Sequence, residues 1–208
     1  LGYIKTGSGT LTLSGTSTFT NFSAAVNFAI NGGVVSLGSS AALGSMLGSA
    51  TISFGGGTLQ YSASNTTDYS AKFSAASSQA FSIDTNGQNV TFASGLASSS
   101  GTLTKLGTGT LTLTGANTYS GATTVSAGTL VIGGSGTLGS GSYAANITNN
   151  GTLKFSSSAD QTISGVISGT GDLYKDTDSV STLTLSNTNT YTGATYISAG
   201  TLALGISN

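Results

Sequence analysis

The chain has 208 residues with five Lys, six Asp and a net charge of −1, and it contains no His, Cys, Pro or Trp, nor any Arg or Glu. With 5% charged residues, no basic face is available to neutralise phosphates, which argues against nucleic acid as a partner. The missing His and Cys remove the usual zinc, iron and copper ligands and the Ser-His and Cys-His nucleophile pairs.

In chain order, the sequence opens Leu1-Gly-Tyr-Ile without an initiating Met or a signal peptide, and reads as the interior of a longer precursor or a processed subunit. Apolar residues then alternate with Thr, Ser and Gly at a period of two, the strand signal. The pairs are Leu11/Leu13, Val35/Leu37, Ile52/Phe54, Leu59/Tyr61, Phe81/Ile83, Val90/Phe92, Leu111/Leu113, Leu130/Ile132, Leu153/Phe155, Leu183/Leu185 and Leu202/Leu204. Each is short and bounded by Gly, Asn or Ser. Three bends share one device, with Asn before Gly in Asn31-Gly-Gly33, Asn86-Gly87 and Asn149-Asn-Gly151. The only Ala/Leu-rich stretch, Ser40–Leu47, is broken by Gly44. No run of about 20 apolar residues is present, so no transmembrane helix is expected. The chain is predicted to be all β.

A long repeat chooses among the all-β architectures. The segment Lys105-Leu-Gly-Thr-Gly-Thr-Leu-Thr-Leu113, Tyr119-Ser-Gly-Ala-Thr-Thr-Val125, Ala127-Gly-Thr-Leu130 recurs further along the chain as Thr182-Leu-Thr-Leu185, Tyr191-Thr-Gly-Ala-Thr-Tyr-Ile197, Ala199-Gly-Thr-Leu202. The Tyr and the Gly keep one offset, from Tyr119 to Tyr191 and from Gly128 to Gly200. A looser copy opens the chain with Lys5, Thr10-Leu-Thr-Leu13 and Phe19. A sandwich or barrel needs no such period, whereas a β-solenoid does. Division of the offset into three coils of about 24 residues predicts a single-stranded parallel β-helix of about nine coils, a rod of ~40–45 Å. Residues 1–208 form one continuous solenoid in this reading, with repeat units at about 1–38, 101–133 and 171–205 and linker coils between them.

These residues resemble the passenger-associated repeat of bacterial autotransporters, also called the autotransporter-associated β-strand repeat. Residues 103–133 follow its pattern almost throughout; 173–205 follow it with two extra residues after Lys175, and 1–38 depart further. The resemblance implies a right-handed parallel β-helix exported across the outer membrane to the extracellular surface. The outer-membrane barrel that usually accompanies export is absent from this sequence. No common activity is implied: passengers include adhesins, biofilm proteins and stalks.

Candidate sites are few. Asp172, Asp176 and Asp178, with intervening Thr and Ser oxygens, form the densest charge and could hold Ca²⁺, although their spacing matches neither an EF-hand nor the Gly-rich nonapeptide. The plainer alternative is a solvated loop, and no other cofactor is indicated. A pair of carboxylates for polysaccharide cleavage would have to come from residues such as Asp68 and Asp84, and no catalytic residue is assigned. Tyr119 and Tyr191, with Phe19 at the corresponding place, are candidate surface-contact aromatics for stacking on glycans, or else pack over the end of the core. Tyr3, Tyr61, Tyr69, Tyr143, Tyr174 and Tyr196 share no spacing that marks a binding stripe. Lys5, Lys105 and Lys175 recur at one repeat position. They read as charges at strand starts that discourage stray pairing, with an isopeptide bond as the sharper alternative. Neither end of the chain carries a polar cap, which suggests continuation by the same solenoid or head-to-tail self-association into a filament. The expected function is a non-catalytic structural rod or fibre subunit, with an adhesin or biofilm module binding glycans or proteins as the rival.

Overall fold

The computed structural model describes residues 2–15, 27–44, 50–176 and 180–205. Alternation of buried and outward residues is the recurring local pattern, as in Val34–Leu37, Thr110–Leu113 and Thr152–Ser157. Every ladder between strands is parallel. A strand in this chain therefore pairs with the strand one circuit later, and the apolar side of each strand faces a shared interior.

The longest sheet has eight strands in rung order: Thr10–Leu13, Val34–Leu37, Thr58–Gln60, Ala80–Asp84, Thr102–Leu106, Thr123–Val125, Ile147–Asn149 and Ile167–Ser168. A second face stacks six strands, Asn89–Phe92, Thr110–Leu113, Thr129–Gly134, Thr152–Ser157, Asp172–Asp176 and Thr195–Ala199. A third has four, Ser142–Tyr143, Gln161–Ile163, Thr182–Leu185 and Thr201–Leu204. Near the start, Gly2–Lys5, Asn27–Ile30 and Thr51–Phe54 form a three-stranded sheet. Each of those strands leads directly into the eight-stranded face, so this sheet takes the place in the circuit that the four-stranded face holds later. The result is a three-faced β-solenoid.

It has about eight turns rather than the nine expected. In the last circuit, residues 186–194 cross the eight-stranded face without forming a strand. They are held there by Thr190 N–H on Ile167 O at 2.9 Å and Ile167 N–H on Asn189 Oδ1 at 2.7 Å.

The core is one continuous cluster of stacked columns. Val90, Leu111, Leu130, Leu153 and Leu173 follow one another rung by rung on the six-stranded face, all buried. Phe54, Phe73, Phe81 and Phe92 thicken the early core, with neighbouring ring centroids 5.0–6.1 Å apart. Phe73 arrives from the excursion between Thr58–Gln60 and Ala80–Asp84. Among the described residues, no helix is long and apolar enough to cross a membrane.

Candidate functional sites along the rod

The repeat lysine is the largest departure from the sequence-based expectation. In Thr102–Leu106 alternate residues face inward, and Lys105 falls on an inward position between Ile83 and Val125 of the adjacent rungs. Its side chain is 0% exposed. The ammonium donates to the carbonyl oxygens of Leu106 at 2.9 Å, Gly107 at 2.7 Å and Ala127 at 3.2 Å. The first two belong to the corner that the lysine itself begins, and the third to the same corner one rung on. Lys5 repeats the arrangement with Thr6 O at 2.8 Å, Gly7 O at 3.0 Å and Gly32 O at 3.1 Å. Lys175, also buried, donates to Ser181 Oγ at 3.2 Å.

A glycine completes each corner. Gly33, Gly128 and Gly200 all have a left-handed backbone, with φ of 62°, 66° and 72°. A Cβ on them would lie 2.7, 2.9 and 2.5 Å from the Nζ of Lys5, Lys105 and Lys175 respectively. The motif's Lys and the Gly of its Ala-Gly-Thr-Leu are thus two halves of one device, separated by a rung. Lysine as a surface charge guarding a strand start is therefore corrected: at 105 and 175 the alternation of the strand turns it inward. The acceptors of Lys105 are main-chain carbonyls, not the carboxyl or carboxamide an isopeptide bond needs. Burial lowers the Lys105 ammonium from its ordinary value to about 8, with Asp84 partly offsetting that loss. Burial lowers Lys175 as well, opposed by Asp176 and Asp160.

The three corners lie at different edges of the rod. Lys5 ends a strand of the three-stranded sheet and leads to the eight-stranded face. Lys105 leads from the eight-stranded face to the six-stranded, and Lys175 from the six-stranded to the four-stranded. The offset between the two close copies is thus three circuits plus one face, not three whole coils. Variable rung length explains the difference, since the chain between the registered partners Gly2 and Asn27 is longer than that between Thr110 and Thr129.

The aromatic candidates exchange places. Tyr119 is 0% exposed and stands edge-on to Tyr143, with centroids 5.7 Å apart. Its hydroxyl meets Thr123 Oγ1 at 2.7 Å, and Thr123 Oγ1 meets the Tyr143 hydroxyl at 2.8 Å. Tyr191 repeats the contact with Thr195 Oγ1 at 2.7 Å and packs half-buried against the core. The Tyr-x-Gly-x-Thr of the motif is thus an internal brace, and a glycan has no access to the Tyr119 ring. Phe19 lies outside the described residues. The outward aromatic pair is Tyr174 and Tyr196, stacked across adjacent rungs with centroids 4.5 Å apart and 17° between planes. Lys154 occupies the preceding position of the same column. Spacing alone hid this pair, because rung length varies.

The carboxylates join rungs. Asp68 accepts from the N–H groups of Ser70 and Ala93, both at 2.8 Å. Asp84 accepts from Asn86 N–H and Gln60 Nε2, Asp160 from Thr182 N–H, and Asp172 from Ala194 N–H. Asp176 pairs with Lys154 and accepts from Ser156 Oγ. Asp172 and Asp176 stand at opposite ends of one strand, ~13 Å apart along it. The fold does not bring these two together around a single ion, and Asp178 lies outside the described residues.

Comparison with known proteins agrees with this architecture. Three segments, 4–37, 103–132 and 180–204, match the passenger-associated-transport-repeat family. The third begins beyond the two-residue insertion and so leaves Lys175 outside it, although Lys175 is buried and faces the left-handed Gly200 as Lys105 faces Gly128. No curated protein and no solved structure matches the chain. The family suggests a surface or extracellular location. With its parallel rungs and recurrent Lys-Gly corners, the chain carries passenger-associated-transport repeats on a β-solenoid, which is consistent with a structural domain of the autotransporter-passenger type.

Proposed function

We propose that this chain is a non-catalytic rod of the bacterial cell surface, a segment or subunit of an extracellular fibre. The observation that carries this reading is where the polar chemistry goes. All five described carboxylates accept hydrogen bonds or a salt bridge that tie one rung to another, and the repeat lysines at 105 and 175 are turned into the interior. What remains outside is mainly Thr and Ser on flat parallel sheets, a surface suited to solubility and extension. At the outer edges of the described stack, Leu11, Ile197 and Leu204 occupy columns that are buried in the interior rungs, yet they are 38%, 55% and 69% exposed. Further coils of the same kind, from this chain's continuation or from a second copy, would cover them.

A second reading, an adhesin or biofilm module, draws support from the outward Tyr174–Tyr196 stack beside Lys154. Electron microscopy of the purified protein across a concentration series separates the two. Filaments of uniform width that lengthen with concentration are the expected result. Isolated rods at every concentration would overturn self-assembly. If such rods bound a glycan surface and lost that binding in Tyr196→Ser, the second reading would replace the first.

A further inference from the structure

We infer that the repeat corners at Lys5 and Lys105 are small cation sites made of backbone carbonyls, in which the lysine side chain is the tethered occupant, and that a shortened side chain leaves a site for a free primary ammonium ion. Three acceptors surround the Lys105 nitrogen, at 2.7, 2.9 and 3.2 Å, and three surround Lys5, at 2.8, 3.0 and 3.1 Å. An ammonium has three N–H bonds to give, so the match of donors to acceptors is complete in both copies. The acceptors come from two consecutive rungs, so the ion closes its own corner and ties it to the next one.

The corner's carbonyls receive an interior donor in neighbouring rungs too, but a neutral one. One rung earlier, Thr85 Oγ1 donates to Thr108 O at 2.7 Å. Two rungs later in the same column as Lys105, Asn149 Nδ2 donates to Asp172 O at 2.9 Å. Both side chains are fully buried. The carboxamide there serves one carbonyl and the hydroxyl reaches two, the second being Leu106 O at 3.4 Å, whereas the lysine serves three. The left-handed glycine across the corner keeps the space clear, because a Cβ at 128 would lie 2.9 Å from Nζ. The corner thus presents three carbonyl oxygens to an NH₃⁺ group at the end of an inward-facing methylene stem.

The test is chemical rescue. Lys105→Ala removes the ammonium and its four-carbon stem together. Its melting temperature is expected to fall by roughly 5 °C or more, since carbonyls that had a charged donor lose it. n-Butylammonium chloride should restore at least half of the loss, while tetramethylammonium chloride at equal ionic strength, which has no N–H, should restore none. Val125→Ala, a cavity in the same column without the carbonyl cage, should gain nothing from either salt. Lys105→Met keeps the chain length without the charge and should melt with Lys105→Ala. A Lys105→Met variant as stable as the parent, or rescue by tetramethylammonium equal to that by butylammonium, overturns the inference. If Lys105→Ala does not fold, Lys5→Ala in the first rung is used instead, with amide exchange at Asn31 to Val34 as the readout. Protection restored there by butylammonium alone supports the site, and no change in protection on mutation refutes it.

Discussion

The middle and last copies of the motif have nearly the same sequence and differ in what lies over them. Leu130 is covered by the rung at Thr152–Ser157 and is fully buried, whereas its counterpart Leu202, in the last described rung, is half-buried. Tyr119 is enclosed and Tyr191 is partly open. Thr123–Val125 alternates between buried and half-buried, while four of the five residues of Thr195–Ala199 are exposed. The motif therefore encodes which side of each strand is apolar, and the neighbouring rung converts that side into core. In a solenoid the stability of a repeat resides largely in its interfaces.

Paired truncations give the largest expected contrast. Leu130→Ala should cost about 2–5 kcal/mol, the usual range for a closed core site, and Leu202→Ala less than half as much. Denaturant midpoints measured on both variants check this, and equal losses would mean that the last rung is as well covered as the middle one. Alkali probes the same distinction through protonation. Burial raises the hydroxyls of Tyr61, Tyr119 and Tyr143 above their ordinary value of 10.0. The folded chain then holds those protons after the unfolded chain has released them, so the stability they contribute is complete below pH 10 and is lost as pH rises further. Lys105 acts with the opposite sign. Its value falls from 10.5 to about 8, the unfolded chain binds more protons between these limits, and stability rises with pH across that window. The urea midpoint should therefore climb gently from about pH 8 and then drop above about pH 10; a midpoint that is flat to about pH 11 would contradict the enclosed tyrosines. The smallest effect is the hydroxyl alone. Tyr119→Phe removes a buried bond to Thr123 and should cost about 0.5–1.5 kcal/mol, with Tyr191→Phe close to neutral at its half-exposed place. Equal costs, measured by thermal unfolding, would show that enclosure does not set the value of this bond.

Much of this architecture was legible in the chain. Period-two Leu pairs such as Leu111/Leu113 became inward positions, and the Asn-Gly bends became corners between faces. The motif's recurrence pointed to a solenoid and to the passenger repeat. The sites were less legible, for a reason tied to the same architecture. Residues that touch across rungs keep no constant spacing in the chain, as the pairs Gly2/Asn27 and Thr110/Thr129 show. That variation concealed the Tyr174–Tyr196 stack, and it made the offset from Tyr119 to Tyr191 look like whole coils. The recurrent lysines looked like surface charge, because a charge among threonines is ordinarily solvated; the signal against that was their place in the alternation, two residues after Leu103 and Leu173, both inward. Tyr119 looked available for stacking because nothing local covers it; the covering ring, Tyr143, comes from the next circuit.

By itself the sequence determined the strands, the corners and the side of each strand that faces inward, since these follow from local alternation and from Gly and Asn at bends. It also determined, by omission, that His, Cys, Arg and Glu chemistry has no part here. The tertiary structure alone decided which rung lies over which, and with it the burial of Lys105, the enclosure of Tyr119 and the rotation of each motif copy to a new edge. Those outcomes depend on the summed length of every intervening corner, and a local pattern does not carry that sum.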